Sequence, residues 1–355
     1  MLPHDIVILN LVGDILSLVG GFLILTTLLL LSVWRRESIR DDLRSLIILS
    51  LITADTANSL VNLITGITVL HGNKLDNGMF CTVTGFIGQA TVQSSDFCVV
   101  LMALVSYATF NPNGSRILAW VQSKPWVLIL PIAIIPLVTA TIALIPGYEK
   151  ASFSWCWIST TPVYARYTLS HGLRIGIMIT LPFLYGAIYL RIRLAYQDAR
   201  ERSLARQAIE AEWDADITPT KSSQDTDIYV DEWSDSDTII TLHRQGSASK
   251  MHRRNTASDR GSSIEINKVT QLRHAMRLMI VFPVIYFVLW IPGIVDRLYV
   301  AITGNTTLLL EALQCATQFI GLFNAILYGL NPNVRSGLKQ FWAEFWHESD
   351  NVFRE

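Results

Sequence analysis

The stretch NLVGDILSLVGGFLILTTLLLLSV, residues 10–33, carries a single charge, Asp14. An α-helix rises 1.5 Å per residue, so about 20 apolar residues cross the ~30 Å of membrane hydrocarbon. Lipid offers no partner to a backbone amide, so a segment of this composition is expected to be a membrane-spanning helix. A cleaved leader followed by six spans is the alternative. The stretch lacks a basic flank before it and is about twice as long as a leader's apolar region, which favours a span.

Six more stretches pass the same test: Leu46–Leu70, Cys81–Thr109, Trp126–Ile145, Tyr167–Leu190, Met276–Ala301 and Leu308–Leu330. They account for a chain of 355 residues that is 51% hydrophobic and only 16% charged, where a soluble domain averages about 25% charged. The expected fold class is an all-α membrane protein, a seven-transmembrane helix bundle. A net charge of −1 gives no reason to expect a nucleic-acid partner.

The positive charges set the orientation. Arg35, Arg36, Arg40 and Arg44 follow span 1. Arg191, Arg193, Arg200, Arg202 and Arg206 follow span 5, Arg273 and Arg277 precede or open span 6, and Arg335 and Lys339 follow span 7. The other side holds little beyond Lys74, Lys150 and Arg166. Cytosolic loops collect Lys and Arg, so the N-terminus lies outside and the C-terminus inside. An external N-terminal tail of about nine residues is too short to capture a ligand by itself, so a ligand must enter the bundle or its outer loops.

This divides the chain into spans 1–5 (residues 1–195), a third cytosolic loop (196–271), spans 6–7 (272–331) and a tail (332–355). The loop has an acidic half and a basic half and too few apolar residues for a core, so disorder is expected through most of it. Residues 191–213 hold good helix formers with no Pro or Gly, and span 5 is expected to continue through them as a helix. In the tail, Val334, Leu338, Phe341, Trp342, Phe345 and Trp346 recur at helical spacing after Pro332. That is an amphipathic helix suited to the headgroup layer of the bilayer, with packing on a protein partner as the alternative.

Enzymatic chemistry finds no foothold. There is no His-x-x-x-His pair, nucleophile elbow or phosphate loop, and no span holds a lysine for a retinal Schiff base. Neither a cofactor nor a metal is called for. The ionisable residues inside spans are few, and each is costly enough there to be a functional candidate. Asp55 and Asp96 are the deepest, with Asn58, Asn62, Gln89 and Asn324 as available partners. Tyr164, Arg166, Arg174, Asp296 and Arg297 lie nearer the outer face and are the candidates for touching a ligand. Arg174 and Arg297 could equally snorkel to the interface. In span 6, Pro283 and Pro292 each remove a backbone hydrogen bond, and Trp290 beside the second suits a hinge whose cytosolic end swings.

Cys81 opens span 3 on the outer, oxidising side, and Cys156 lies in the loop between spans 4 and 5. A bridge between them would tie that loop to span 3. Four free thiols is the alternative, and Cys98 and Cys315 fall inside spans. Arg253-Arg254-Asn255-Thr256, followed by Ser258, matches the pattern a basophilic kinase binds, and phosphate there adds roughly −2 charge beside span 6. Asn305 opens a glycosylation sequon in a very short outer loop.

Several of these residues together resemble G-protein-coupled receptors, and most closely the slime-mould cyclic-AMP-receptor-like receptors and the fungal carbon-source-sensing receptors. The motifs are Ser95-Asp96-Phe97 in span 3, Trp155-Cys156-Trp157-Ile158-Ser159 in the second outer loop, Pro283-x-x-Tyr286-x-x-x-Trp290-x-Pro292 in span 6, and Asn324-Ala325-x-x-Tyr328-Gly329-x-Asn331-Pro332 in span 7. The resemblance covers residues 10–200 and 268–345. It implies a plasma-membrane receptor for an extracellular small molecule, a nutrient or a signal, with output through a heterotrimeric G-protein α subunit into cyclic-AMP signalling. Arg193, Arg200, Arg273 and Arg277 are then the expected G-protein contacts. Asp55, Asp96, Tyr286, Trp290, Pro292 and Asn324 form the expected switch network. One departure matters: the cytosolic end of span 3 reads Leu104-Val105-Ser106-Tyr107-Ala108, without the Asp-Arg-Tyr lock of the largest receptor class. The rival reading is a seven-span transporter, which would carry an internal repeat that this sequence lacks.

Overall fold

The computed structural model describes residues 3–35, 43–72, 75, 77–109, 111, 114–151, 154–217, 284–300, 302–303, 307–330 and 332–352. The calls on Thr256, Ser258, Arg273, Arg277, Pro283 and Asn305 lie outside the described residues. Among the described residues five helices are long and apolar enough to cross a membrane: His4–Trp34, Leu43–Leu70, Met79–Thr109, Val163–Leu194 and Leu308–Gly329. Span 4 is the second half of a bent pair, Arg116–Ser123 and Trp126–Ile142, with an 85° turn between them. A helix over residues 284–300 is the described part of span 6, and it runs on through Pro292. Together with span 4 and this part of span 6, the described helices fall at the places of the seven expected spans.

Two expectations change at the ends. Span 1 begins at Pro3, so nearly all of the expected external tail is helix. Ile6 and Val7 are the reason, because both are buried against the bundle. The helix of span 5 reaches Ile217, four residues beyond the composition-based estimate. The described residues fall into two compact units, one within Met1–Arg191 and Ala275–Glu355 and one within Ile192–His274. In the second, residues 192–217 are helical, and Arg193 and Arg200 are exposed on that helix.

Departures from α-helical winding follow the prolines in span 4. Leu130–Ile134 is a π-helical turn containing Pro131, and Pro136 sits at the start of the helix that follows. A proline lacks the N–H for the i−4 bond, and the chain takes up the slack by widening a turn. Span 5 opens with a second π turn, Tyr167–His171, and span 7 contains a 3-10 stretch, Cys315–Phe319. Both face the cavity described below.

The largest core cluster joins spans 2, 3, 4, 5, 6 and 7 through Leu51, Cys98, Met102, Leu128, Leu181, Tyr286 and Ile320. Close approach between spans needs glycine at defined points: a Cβ on Gly21 would meet Thr56 Oγ1 at 2.1 Å. Span 1 is fastened to span 7 by Ser17, whose hydroxyl donates to Gln318 O at 2.5 Å and accepts from Leu322 N at 3.1 Å.

Outside the spans, Tyr148–Lys150 and Cys156–Ile158 pair as an antiparallel hairpin, with Tyr148 opposite Ile158 and Lys150 opposite Cys156. Cys156 is bonded to Cys81, with Cα atoms 5.4 Å apart across 75 residues of chain, while Cys98 and Cys315 are free and buried. Tyr148 lies against span 3 at Gly85, where a Cβ would come within 2.6 Å of its ring.

The tail helix spans Pro332–Val352. Val334 is buried in a cluster with Ile24, Leu28, Leu31 and Tyr328, and Phe341 meets the Trp34 ring edge-on at 6.0 Å. Trp34 Nε1 donates to Glu344 Oε2 at 3.0 Å. Part of the apolar face therefore packs on span 1, while Trp342 and Trp346 are exposed.

Candidate functional site

Three buried carboxylates organise the interior. Asp96, on span 3 and 1% exposed, accepts from Arg174 Nε on span 5 at 3.0 Å and from the Tyr286 hydroxyl on span 6 at 2.6 Å. Arg174 is itself buried, so it turns inward and does not snorkel. The physical reason is the carboxylate: a guanidinium at this depth is stable only when paired and hydrogen-bonded. Its guanidinium also lies 3.7 Å from the centre of the Trp290 ring, within cation–π range. Tyr286 and Trp290 are one helical turn apart, with rings 6.2 Å apart. Spans 3, 5 and 6 thus meet at one charged node.

One residue before Asp96, Ser95 donates its hydroxyl to Asp55 Oδ1 on span 2 at 2.6 Å, and Asp55 also accepts from Asn324 Nδ2 on span 7 at 2.7 Å. Neighbouring Ser95 and Asp96 therefore face different partners, and span 3 ties spans 2 and 7 through one residue and spans 5 and 6 through the next. Asn62 donates to Gln318 Oε1 at 3.0 Å, and Gln89 and Gln93 both donate to Leu169 O. Leu169 lies in the π turn of span 5, which frees carbonyls for such bonds.

The third carboxylate, Asp296, lies 3.8 Å from Arg297 Nη1. With its amide nitrogen turned to Asp296, Gln314 donates to Asp296 Oδ2 at 3.1 Å and accepts from Arg297 Nη2 at 2.9 Å, which joins spans 6 and 7. Tyr167 donates to the Arg297 carbonyl at 3.0 Å.

Between these groups lies a cavity of about 80 Å³. One water needs roughly 10–15 Å³ on this measure, so the space suits a small ligand. Trp155 and Trp157 of the hairpin loop, Tyr167 and Trp290 supply aromatic walls, and Asn58, Asn62, Ser95, Gln314 and Gln318 supply polar ones. Trp157 Nε1, His171 Nε2, Arg174 Nη2 and Trp290 Nε1 belong to lining residues, and these atoms are buried without a hydrogen-bond partner among the described residues. The His171 ring stacks on Trp157 at 6.4 Å and 9° and meets Tyr167 edge-on at 5.6 Å.

Of the residues singled out for ligand contact, Arg174 and Arg297 line the cavity. Tyr164 is 71% exposed and Arg166 and Asp296 are buried, and none of the three is among the lining residues. Arg166 instead holds the hairpin: Nε donates to Ile158 O at 2.6 Å, and Nη2 lies 3.8 Å from Glu149 Oε1. Glu149 also accepts from the Thr160 backbone N–H and hydroxyl. Burial works against its charge, but those bonds from Thr160, one from Ser159 and the Arg166 charge outweigh it and hold the carboxyl below its ordinary value. Each of the three guanidiniums, Arg166, Arg174 and Arg297, thus has a carboxylate of its own.

Sequence reasoning missed His171, Trp157 and Gln314. The Trp-Cys-Trp loop motif was the available signal for Trp157, since a bridge to span 3 brings that loop over the bundle. Among the described residues no group of His, Cys, Asp and Glu could hold a metal ion.

Comparison with known proteins gives this architecture a context. Squid rhodopsin superposes with a TM-score of 0.58 at 13% identity, over 97% of this chain and 86% of that one, which is a likeness of fold. The ascaroside receptor GPR2 of Arthrobotrys oligospora is 22% identical over 293 residues, 72% of this chain and 71% of the relative. Residues 4–199 match the family model for the G protein-coupled glucose receptor regulating Gpa2, and residues 267–331 match the model for the C-terminal part of the same receptors. The first match alone covers more than half of the chain. The protein is therefore a multi-pass membrane receptor that acts on a G-protein α subunit rather than an enzyme, and the chain belongs to the family of G protein-coupled glucose receptors regulating Gpa2.

Proposed function

We propose that this receptor sits in the plasma membrane, takes a small, neutral, oxygen-rich ligand of the sugar class into the outer cavity, and signals through a Gpa2-type α subunit into cyclic AMP. The observation that carries the ligand class is the pairing of charge in the site. The two guanidiniums that line the cavity, Arg174 and Arg297, are matched by the buried Asp96 and Asp296, so an anionic ligand would leave a buried carboxylate uncompensated. Meanwhile the unpartnered N–H groups of Trp157, Arg174 and Trp290 call for acceptors, His171 Nε2 accepts or donates according to its tautomer, and each left unpaired costs about 1–3 kcal/mol. Hydroxyl and ring oxygens against aromatic walls answer both demands.

The switch follows from where Arg174 lies. Its Nε holds Asp96, its Nη2 has no hydrogen-bond partner among the described residues, and Arg174 is a lining residue of the cavity, so a ligand acceptor that engages Nη2 competes for the same guanidinium. Weakening the Asp96 tie releases Tyr286 and Trp290, the residues by which span 6 is held to spans 3 and 5. A ligand shifts the equilibrium only by its differential affinity for the two states, and this shared guanidinium supplies the difference. In the absence of an Asp-Arg-Tyr lock, the Asp96–Arg174–Tyr286 node is the contact that holds the resting state. Arg193, Arg200, Arg273 and Arg277 are the cytosolic contacts for the α subunit, and Thr256 and Ser258 the sites of a basophilic kinase.

The test is G-protein activation in membranes, comparing glucose and other neutral sugars with their acid counterparts such as gluconate. Activation by a neutral sugar with none by the acid is the expected result. Activation by the acids alone refutes the ligand class.

A further inference from the structure

The short helix Gly114–Ser123 follows span 3 on the cytosolic side and has no part in the site above. At about 100° per residue, its side chains sort into three sectors. Leu118 and Val121 point one way and pack on the main core cluster. Ala119, Gln122 and Ser123 form a second, exposed sector. The third carries Arg116, Ile117 and Trp120, all exposed, with Ile117 at 57% and Trp120 at 51%, and the exposed Lys124 follows just past the helix end.

Three observations say what covers this third sector. The helix meets span 4 at 85°, so it lies close to the membrane plane when that span crosses the bilayer. Span 4, the next helix in the chain, also presents exposed apolar side chains near its start, Trp126, Ile129 and Leu130 at 62%, 53% and 51%. The charge is also one-sided: between Asp96 and Glu149 there is no acidic residue, and Arg116 and Lys124 are the basic ones. Lys124 Nζ lies 5.8 Å from the centre of the Trp120 ring, which sets the cation beside the aromatic anchor.

We infer that this helix is a docking face for the anionic cytosolic leaflet of the membrane, with Ile117 and Trp120 inserted among the acyl-chain ends and Arg116 and Lys124 on lipid phosphates. A basic, aromatic sector beside a lipid-facing span has the composition of an interfacial anchor. A basic residue at an anionic surface shifts binding about fivefold, so the pair shifts the docked population up to about 30-fold.

The test uses the full chain in nanodiscs, with a nitroxide placed by I117C or, in the second exposed sector, by A119C. With phosphatidylserine present, the label at 117 is expected to be accessible to oxygen and shielded from a water-soluble nickel chelate, and the label at 119 the reverse. Pure phosphatidylcholine, or R116A/K124A, should lose most of the shielding at 117. The proposal fails if 117 and 119 are equally water-exposed, or if shielding at 117 is the same in both lipids. Shielding that arises only when the α subunit is added also overturns it, since the face would then belong to a protein partner.

Discussion

Replacing Tyr286 by phenylalanine removes one hydroxyl from the Asp96 node and leaves the ring in place. Tyr286 is 2% exposed and Asp96 1%, so no water takes over the bond at the surface. The bond is 2.6 Å long and ends on a carboxylate that Arg174 keeps paired. A hydrogen bond to a charged group contributes about 1.5–3 kcal/mol. If the bond exists in the resting state and is broken when span 6 moves, the resting state loses that amount relative to the active one. The equilibrium then moves by about 10- to 150-fold toward the active form. A receptor with about 1% of molecules active without ligand would rise to roughly 10–60%. The assay is basal nucleotide exchange on the α subunit, at matched surface expression, with thermal melting of the purified receptor alongside. Raised basal exchange with a modestly lowered melting temperature is expected. Unchanged basal exchange in a folded Y286F receptor refutes the reasoning, because the bond would then be equally present in both states.

Other outcomes follow from the same geometry. Trp157→Phe keeps an aromatic wall and removes one unpartnered N–H, so the ligand concentration for half-maximal activation should rise about 2- to 13-fold, read in the same exchange assay. Cys81→Ser or Cys156→Ser frees the hairpin from span 3, costs about 2–4 kcal/mol, and lowers the melting temperature while weakening ligand response, since Cys156 lines the cavity. Glu149 titrates below its ordinary value of 4.5, so its contribution to hairpin stability is present above that pH and is lost as pH falls through the folded-state value. Wild-type melting temperature should therefore drop below about pH 4.5 more steeply than that of Glu149→Gln, and parallel curves would remove Glu149 from the account.

A feature was legible in the sequence when the residues that decide it lie close together along the chain. Span 3 was legible because lipid exposure acts on composition within one segment, and its start and end were placed within two residues. The Cys81–Cys156 bridge was legible because topology left two cysteines on the oxidising side. Asn324 was an available partner for Asp55 because both are polar groups stranded in hydrocarbon. The partners of Asp96 were not legible. Arg174 and Tyr286 are 78 and 190 residues away, and both had equally reasonable alternatives.

Composition, length and charge asymmetry thus determined the spans, their orientation and the outer cysteine pair, since each depends on how a segment partitions between water and lipid. Which face of each helix turns inward is a different matter. It depends on the rotation of one span against another, set by packing at points such as Gly21 on Thr56 and by the local unwinding at Tyr167–His171. Only the tertiary structure therefore decided that Arg174 holds Asp96, that Gln314 bridges Asp296 and Arg297, and that four residues with an unpartnered nitrogen line one cavity.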